Sequence, residues 1–198
     1  MTVRTLVLGD FQTNCYLVSD ENGDTAVIDP GYTPEVILQA AQSQHLTVRA
    51  VLLTHGHFDH VGGVKGIAEA ARCPIYVNEA DTELPAELNH GLTATDFYAD
   101  GDCIAVGTLR FSVLETPGHT PGSVCLRCEN ALFSGDTLFA GCCGRTDLFG
   151  GSDAQMRRSL ARLGAIEDAL TVYPGHGPST TLPREKLTNP YLRNAMKE

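Results

Sequence analysis

Residues 49–60 read R-A-V-L-L-T-H-G-H-F-D-H, a near-continuous apolar run that passes without a linker into three histidines and an aspartate. Such a run suits a strand buried on both faces. In an extended continuation the side chains alternate, so His55, His57 and Asp59 face one way while His60 points elsewhere. One loop can then serve two metal ions, and the pattern predicts a sheet scaffold carrying a metal centre on its rim.

The arrangement recurs along the chain. F-S-V-L-E-T-P-G runs into His119, A-L-F-S-G into Asp136, and L-T-V-Y-P-G into His176. Ligands on loops at the ends of buried strands converge on one edge, where rigid elements hold them. Glycine directly precedes His57, His119 and His176, which permits the tight turns that aim a ring inward. Five histidines and two aspartates supply the nitrogen and oxygen ligands that Zn²⁺, Mn²⁺ or Fe²⁺ prefer, and a carboxylate can bridge two ions about 3.5–4 Å apart. His45 and His90 lack such a context and read as surface or satisfied core residues.

Around these loops the periodicity predicts strands over 3–8, 15–19 and 25–29, then a helix from Thr33 and Pro34 to about His45. A second helix is expected over 61–71 and a short strand over 74–78, whereas 79–100 has no clear pattern. Strands follow over 103–106, 109–115, 123–128 and 131–134, the last two joined by a hairpin at Glu129 and Asn130. Ser152 and Gln155 form a capping box ahead of Met156, Leu160 and Leu163, and a strand over 170–173 and a helix near 183–189 complete the pattern. Strands outnumber helices in both halves, which predicts an α/β fold of two packed β-sheets with helices outside, as one unit over 1–198.

Composition agrees. The 198 residues are 42% apolar and 19% charged, enough to bury a sizeable core. With 24 acidic against 14 basic side chains the formal charge is -10, and no window clusters Lys and Arg, which excludes general nucleic-acid binding. The apolar patch around Leu6, Val7 and Leu8 is broken by Gly9 and Asp10, so it does not read as a signal peptide, and no run approaches the roughly 18 apolar residues of a membrane span. Seven cysteines, mostly in apolar runs, suit reduced buried thiols, including the Cys125–Cys128 CxxC; the expected compartment is the cytoplasm. Asp29-Pro30-Gly31 reads as a plain turn, and Asn14 and Tyr16 as ordinary strand residues.

The motif T-H-G-H-F-D-H at 54–60, followed in order by His119, Asp136 and His176, resembles the metallo-β-lactamase superfamily. The resemblance implies a four-layer αβ/βα sandwich of two mixed β-sheets. It implies a first metal on His55, His57 and His119, a second on Asp59, His60 and His176, and Asp136 bridging them. The aspartate at 136 and the stretch S-G-D-T-L-F-A-G-C-C-G-R-T-D-L-F-G-G resemble small bacterial proteins of the glyoxalase II-like group, and the C-G-R-T-D core also resembles the persulfide dioxygenases. Antibiotic cleavage is disfavoured, because β-lactamase branches usually lack that bridging carboxylate.

The expected activity is therefore hydrolysis of a thioester, S-D-lactoylglutathione or a related hydroxyacyl thioester, by hydroxide shared between two divalent ions, most simply Zn²⁺. Asp59 orients the nucleophile. The alternative is a single Fe²⁺ on two histidines and a carboxylate, oxidising glutathione persulfide. Glyoxalase II proper carries a helical C-terminal domain with basic glutathione contacts, and none is expected here; Arg145 is the one basic residue of the matching loop and the candidate substrate contact.

Overall fold

The computed structural model describes residues 1–197. The first half builds β1 (Thr2–Leu8), β2 (Thr13–Ser19), β3 (Asp24–Ile28), α1 (Pro34–Gln42), β4 (Thr47–Leu52), α2 (Phe58–Val61), α3 (Val64–Ala71), β5 (Ile75–Val77), α4 (Ala86–Asn89) and β6 (Asp96–Phe97). These six strands form one mixed sheet in sequence order, antiparallel from β1 to β3 and parallel from β3 to β6. The second half builds β7 (Cys103–Val106), β8 (Leu109–Glu115), β9 (Val124–Cys128), β10 (Ala131–Gly135), β11 (Leu138–Phe139), β12 (Cys142–Cys143), α5 (Asp153–Gly164), β13 (Thr171–Pro174), β14 (Thr180–Thr181), α6 (Leu182–Thr188) and α7 (Pro190–Ala195). Its main sheet runs β14-β13-β10-β9-β8-β7 and is mixed through the parallel β10–β13 pair.

Strand alternation divides the apolar residues into three layers. Along β2, Tyr16 and Val18 face the second sheet and pack with Ile28, Leu52, Phe111 and Phe133, while Cys15 and Leu17 face α1 and α3 with Val51, Ile37 and Ile67. On the outer face of the second sheet, Cys125 and Leu132 meet Met156, Leu160 and Leu192 of α5 and α7. Helix, sheet, sheet and helix therefore stack in the expected order. Cys125 and Cys128 fall in different layers, on opposite faces of β9, so the CxxC is two structural thiols and not a dithiol pair. No helix among the described residues is long and apolar enough to cross a membrane.

Two expectations change. The helix over 61–71 is split at Gly62 and Gly63, where the Gly63 N–H leaves the helical ladder to donate to the Pro30 carbonyl (2.7 Å) and a Cβ at either position would meet the Gly31 or Pro30 carbonyl oxygen. Thr33 does occupy the position before α1, yet at φ 40° and without a side-chain capping bond, so Pro34 alone marks the start. Ser152 caps α5 as expected, accepting from the Gln155 N–H. The patternless segment holds a 3₁₀ turn over Glu79–Glu83 together with α4 and β6.

Candidate metal centre

Four loops deliver the expected residues to one edge of the two sheets. His55 and His57 follow β4, His119 follows β8, Asp136 follows β10 directly, and His176 follows β13. Donor atoms of His55, His57 and His119 lie within 4.8 Å of one another, as do those of Asp59, His60 and His176. Asp136 stands between these triads, with Oδ2 3.4 Å from His119 Nε2 and 3.6 Å from His176 Nε2, and Oδ1 3.5 Å from His60 Nε2. All seven residues come together.

The local backbone corrects the alternation argument. His57 is extended (φ -69°, ψ 147°), but Asp59 and His60 belong to α2, whose curl turns both toward the centre. His60 thus faces the other ligands, and its Nε2 is 3.4 Å from His176 Nε2. Of the glycines before histidines, Gly118 has φ 143°, a turn suited to glycine. Gly175 is needed for space instead: a Cβ there would stand 2.2 Å from Asp136 Oδ1.

Residues behind these seven side chains hold them. The Asp29 carboxylate accepts from the Thr54 N–H (2.8 Å) and hydroxyl (2.6 Å), and lies 3.0 Å from His60 Nδ1. The turn expected there is also an anchor. Asp81, in the segment without a sequence pattern, accepts from the Gly56 N–H (2.8 Å), the Thr120 hydroxyl (2.7 Å) and the Gly122 N–H (2.6 Å), tying the His55–His57 loop to the His119 loop. The Thr13 hydroxyl donates to Asp59 Oδ2 (3.1 Å). Asn14 donates to the carbonyls of Pro174 (2.9 Å) and Gly177 (2.8 Å), and the Tyr16 hydroxyl to Pro174 (2.6 Å), so these strand residues brace the turn that carries His176.

The chemistry of the donor set fits cations. His55 Nε2, His57 Nε2 and Asp136 Oδ1 are buried without a hydrogen-bond partner among the described residues, and such an atom costs about 1–3 kcal/mol if left so. Burial first, then neighbouring His60 and His119, pushes His55 well below the usual imidazole value; burial, His119 and His60 push His57 down to about 4. Neutral rings offer lone pairs. Around His60 the balance reverses: burial disfavours its charge, but Asp136, Asp29 and Asp59 raise it to about 9. Burial opposes ionisation of Asp59 as well, yet the His176 hydrogen bond and the His60 charge hold its carboxyl below the usual range. One triad thus presents unprotonated nitrogens, and around the other the carboxylates of Asp29, Asp59 and Asp136 favour positive charge at His60, a charge that a divalent cation would supply in place of the proton.

Arg145 is tied to its own loop and to the first triad. Its guanidinium is 62% exposed and doubly bonded to Asp147 (2.7 and 2.8 Å), while its carbonyl accepts from His119 Nδ1 (2.7 Å). The same loop walls a cavity of about 830 Å³ against α5 and α7, lined by one carboxylate, Asp153, and also by Arg157, Tyr191 and Lys197. Sequence reasoning confined to the 134–151 stretch missed these last three, because only packing of α7 beside α5 brings them to the loop.

The profile of the metallo-beta-lactamase superfamily matches residues 8–176. Hydroxyacylglutathione hydrolase GloC of Haemophilus influenzae is 32% identical, over 98% of this chain and 99% of its own. Among solved structures, the BLEG-1 B3 metallo-beta-lactamase superposes with a TM-score of 0.88 at 32% identity, covering 96% of this chain and 99% of that one. ETHE1 from Myxococcus xanthus gives 0.83 at 32% identity, covering 96% and 84%. With the strand-end ligands, the four-layer sandwich and this match in agreement, the chain belongs to the metallo-beta-lactamase superfamily.

Proposed function

We propose that the chain hydrolyses a hydroxyacyl thioester of an anionic thiol, with S-D-lactoylglutathione as the model substrate. The observation that carries this reading is the pair of ligand triads joined by one carboxylate, beside a cavity lined by three cationic side chains. In it His55, His57 and His119 would hold one ion, Asp59, His60 and His176 a second, with Asp136 placed between the two triads. Two divalent ions, most simply Zn²⁺, would supply a deprotonated water near neutral pH and polarise the substrate carbonyl.

The protein's own groups do the rest. Asp59, steadied by the Thr13 hydroxyl, orients the attacking water. The water oxygen bonds to the acyl carbon, the C–S bond breaks, and the sulfur leaves as thiolate. A thiol of pKa about 8.5 leaves without a general acid. Arg145, Arg157 and Lys197 receive the carboxylates of the departing thiol, so the basic contacts come from α5 and the region of α7 as well as from the loop. The relationship to GloC supports the glutathione thioester as the first substrate to try.

A second reading, persulfide oxidation at one Fe²⁺ on His55, His57 or His119 and Asp136, draws on the C-G-R-T-D core and the likeness to ETHE1. One experiment separates the two. Protein made in native-like medium is assayed for metal content, S-D-lactoylglutathione hydrolysis, cephalosporin hydrolysis and persulfide-dependent oxygen uptake. About two ions per chain with thioester turnover are expected. His57→Ala should lose about 100-fold or more of that turnover while keeping its circular dichroism. One iron per chain with oxygen uptake and no thioester turnover overturns the proposal, and cephalosporin turnover alone would assign the lactamase chemistry of BLEG-1 instead.

A further inference from the structure

The mouth of the centre is apolar on the side away from Arg145. Phe11 is 58% exposed, and its backbone carbonyl accepts from His176 Nδ1 (3.1 Å), so residue 11 sits at the second triad, where Phe139 meets the His176 ring edge-on at 6.2 Å. Phe58, between His57 and Asp59 in the chain, meets Phe11 edge-on at 5.3 Å and 82°. His90 packs on Phe58 in turn, at 5.3 Å and 33°. It projects from a left-handed residue (φ 51°) held by the Asn89 side chain, which accepts from the Gly91 N–H (2.9 Å). Three rings thus form a track leading away from His176, and the hydrolytic reading above gives none of them a task.

The track ends at a cavity. A volume of about 610 Å³ opens at His90 between α3 and residues 89–95, with Val64, Ala68, Ile75 and Leu92 in its wall and Lys65, Glu69 and Thr93 at its exposed side. Val61, next to His60, also lines it, so α2 is shared between the cavity and the metal centre. The size falls within the roughly 300–1,000 Å³ of small-molecule sites, and the wall suits an apolar guest.

We propose that the ring track and this cavity bind the acyl half of the substrate, and that the preferred acyl group is an apolar chain of medium length. The inference rests on the thioesterase reading and narrows its acyl group, for which lactoyl is the short model, to one that continues into an apolar chain. Polarity across the mouth fixes the orientation: the cationic cavity adjoins His119 through Arg145, and the apolar track adjoins His176 through Phe11. A thioester lying between them directs its anionic thiol to the first and its acyl chain to the second. From Phe11 to His90 the track takes two ring spacings of 5.3 Å each, more than a lactoyl group spans and comparable with the length of an extended medium-chain acyl group.

The test compares kcat/KM for glutathione thioesters carrying lactoyl, butanoyl, hexanoyl and octanoyl groups. The wild-type protein should rise with chain length, favouring octanoyl over lactoyl by about tenfold or more. Ala68→Trp, which fills the cavity from α3, should lower that ratio by about tenfold. Phe11→Ala truncates an exposed ring at little risk to folding and should lower it too, chiefly through KM. Lactoyl turnover with a flat chain-length profile, or ratios unmoved in both variants, overturns the acyl site while leaving the thioesterase reading standing. Turnover of none of the thioesters overturns both.

Discussion

Asp81 shows how a single side chain can govern a centre it does not touch. Burial raises its carboxyl above the usual range, while the bonds from Thr120, Gly56 and Gly122 pull it back. It remains useful only as an acceptor, because three donors converge on its two oxygens. In Asp81→Asn one oxygen becomes an amide donor facing a donor, at a cost of about 1–3 kcal/mol. The loop carrying His55 and His57 should loosen, and metal affinity by competitive chelator titration should fall about 10–100-fold while the fold survives. Unchanged affinity would reduce Asp81 to a loop staple. The ligands themselves were legible because histidine and aspartate at strand ends announce their chemistry. Asp81 was not, since two of its three partners are backbone N–H groups, which no residue identity signals. Asp29 fell between: the turn in D-P-G could be read, and its contact with His60, 31 residues away, could not.

Elements add the second kind of constraint, the joining of the two sheets. Asp20, just after β2, sends Oδ2 across to the Thr108 N–H (2.9 Å) and hydroxyl (3.1 Å) in the β7–β8 turn, while Oδ1 accepts from Asn22 and Asp24. The Thr108 backbone bond is the leading cause that holds its carboxyl below the usual range, against the opposing effect of burial. A carboxyl depressed in the folded state contributes stability that is present above its unfolded pKa of about 3.9 and lost as the pH falls through the folded value. Wild-type protein should therefore lose more Tm between pH 6 and pH 2.5 than Asp20→Asn does, and the two curves should converge at the acid end. Parallel curves would remove this tie from the acid response. Alternation exposed β8, whose residues switch between buried and exposed, while β2, buried throughout, was legible from its β-rich composition between turn residues. The two-residue β11, β12 and β14 carry no period to read, and the α2–α3 break depends on the approach of Pro30 and Gly31.

For the molecule as a whole, metal binding and folding are expected to be linked equilibria. The -10 chain collects Asp29, Asp59 and Asp136 around a few buried histidines, and three of the inward-facing polar atoms have no protein partner among the described residues. Folding without cations leaves those groups unsatisfied, whereas the unfolded chain hydrates them. A ligand that binds only the folded state stabilises it by about 2.7 kcal/mol at a hundredfold excess over Kd. At about 2–4 °C per kcal/mol for a chain of this size, stripping the metal should lower Tm by about 5–10 °C. Readdition of Zn²⁺ or Mn²⁺ should restore the loss in the wild-type protein, with Tm rising logarithmically in metal concentration. In His57→Ala, which retains only two members of the first triad, restoration should be partial and need higher concentrations. Calorimetry of stripped and reloaded protein decides the matter: equal Tm values would mean that the histidines and aspartates are satisfied without cations, and the whole site would have to be read again as a hydrogen-bonded cluster.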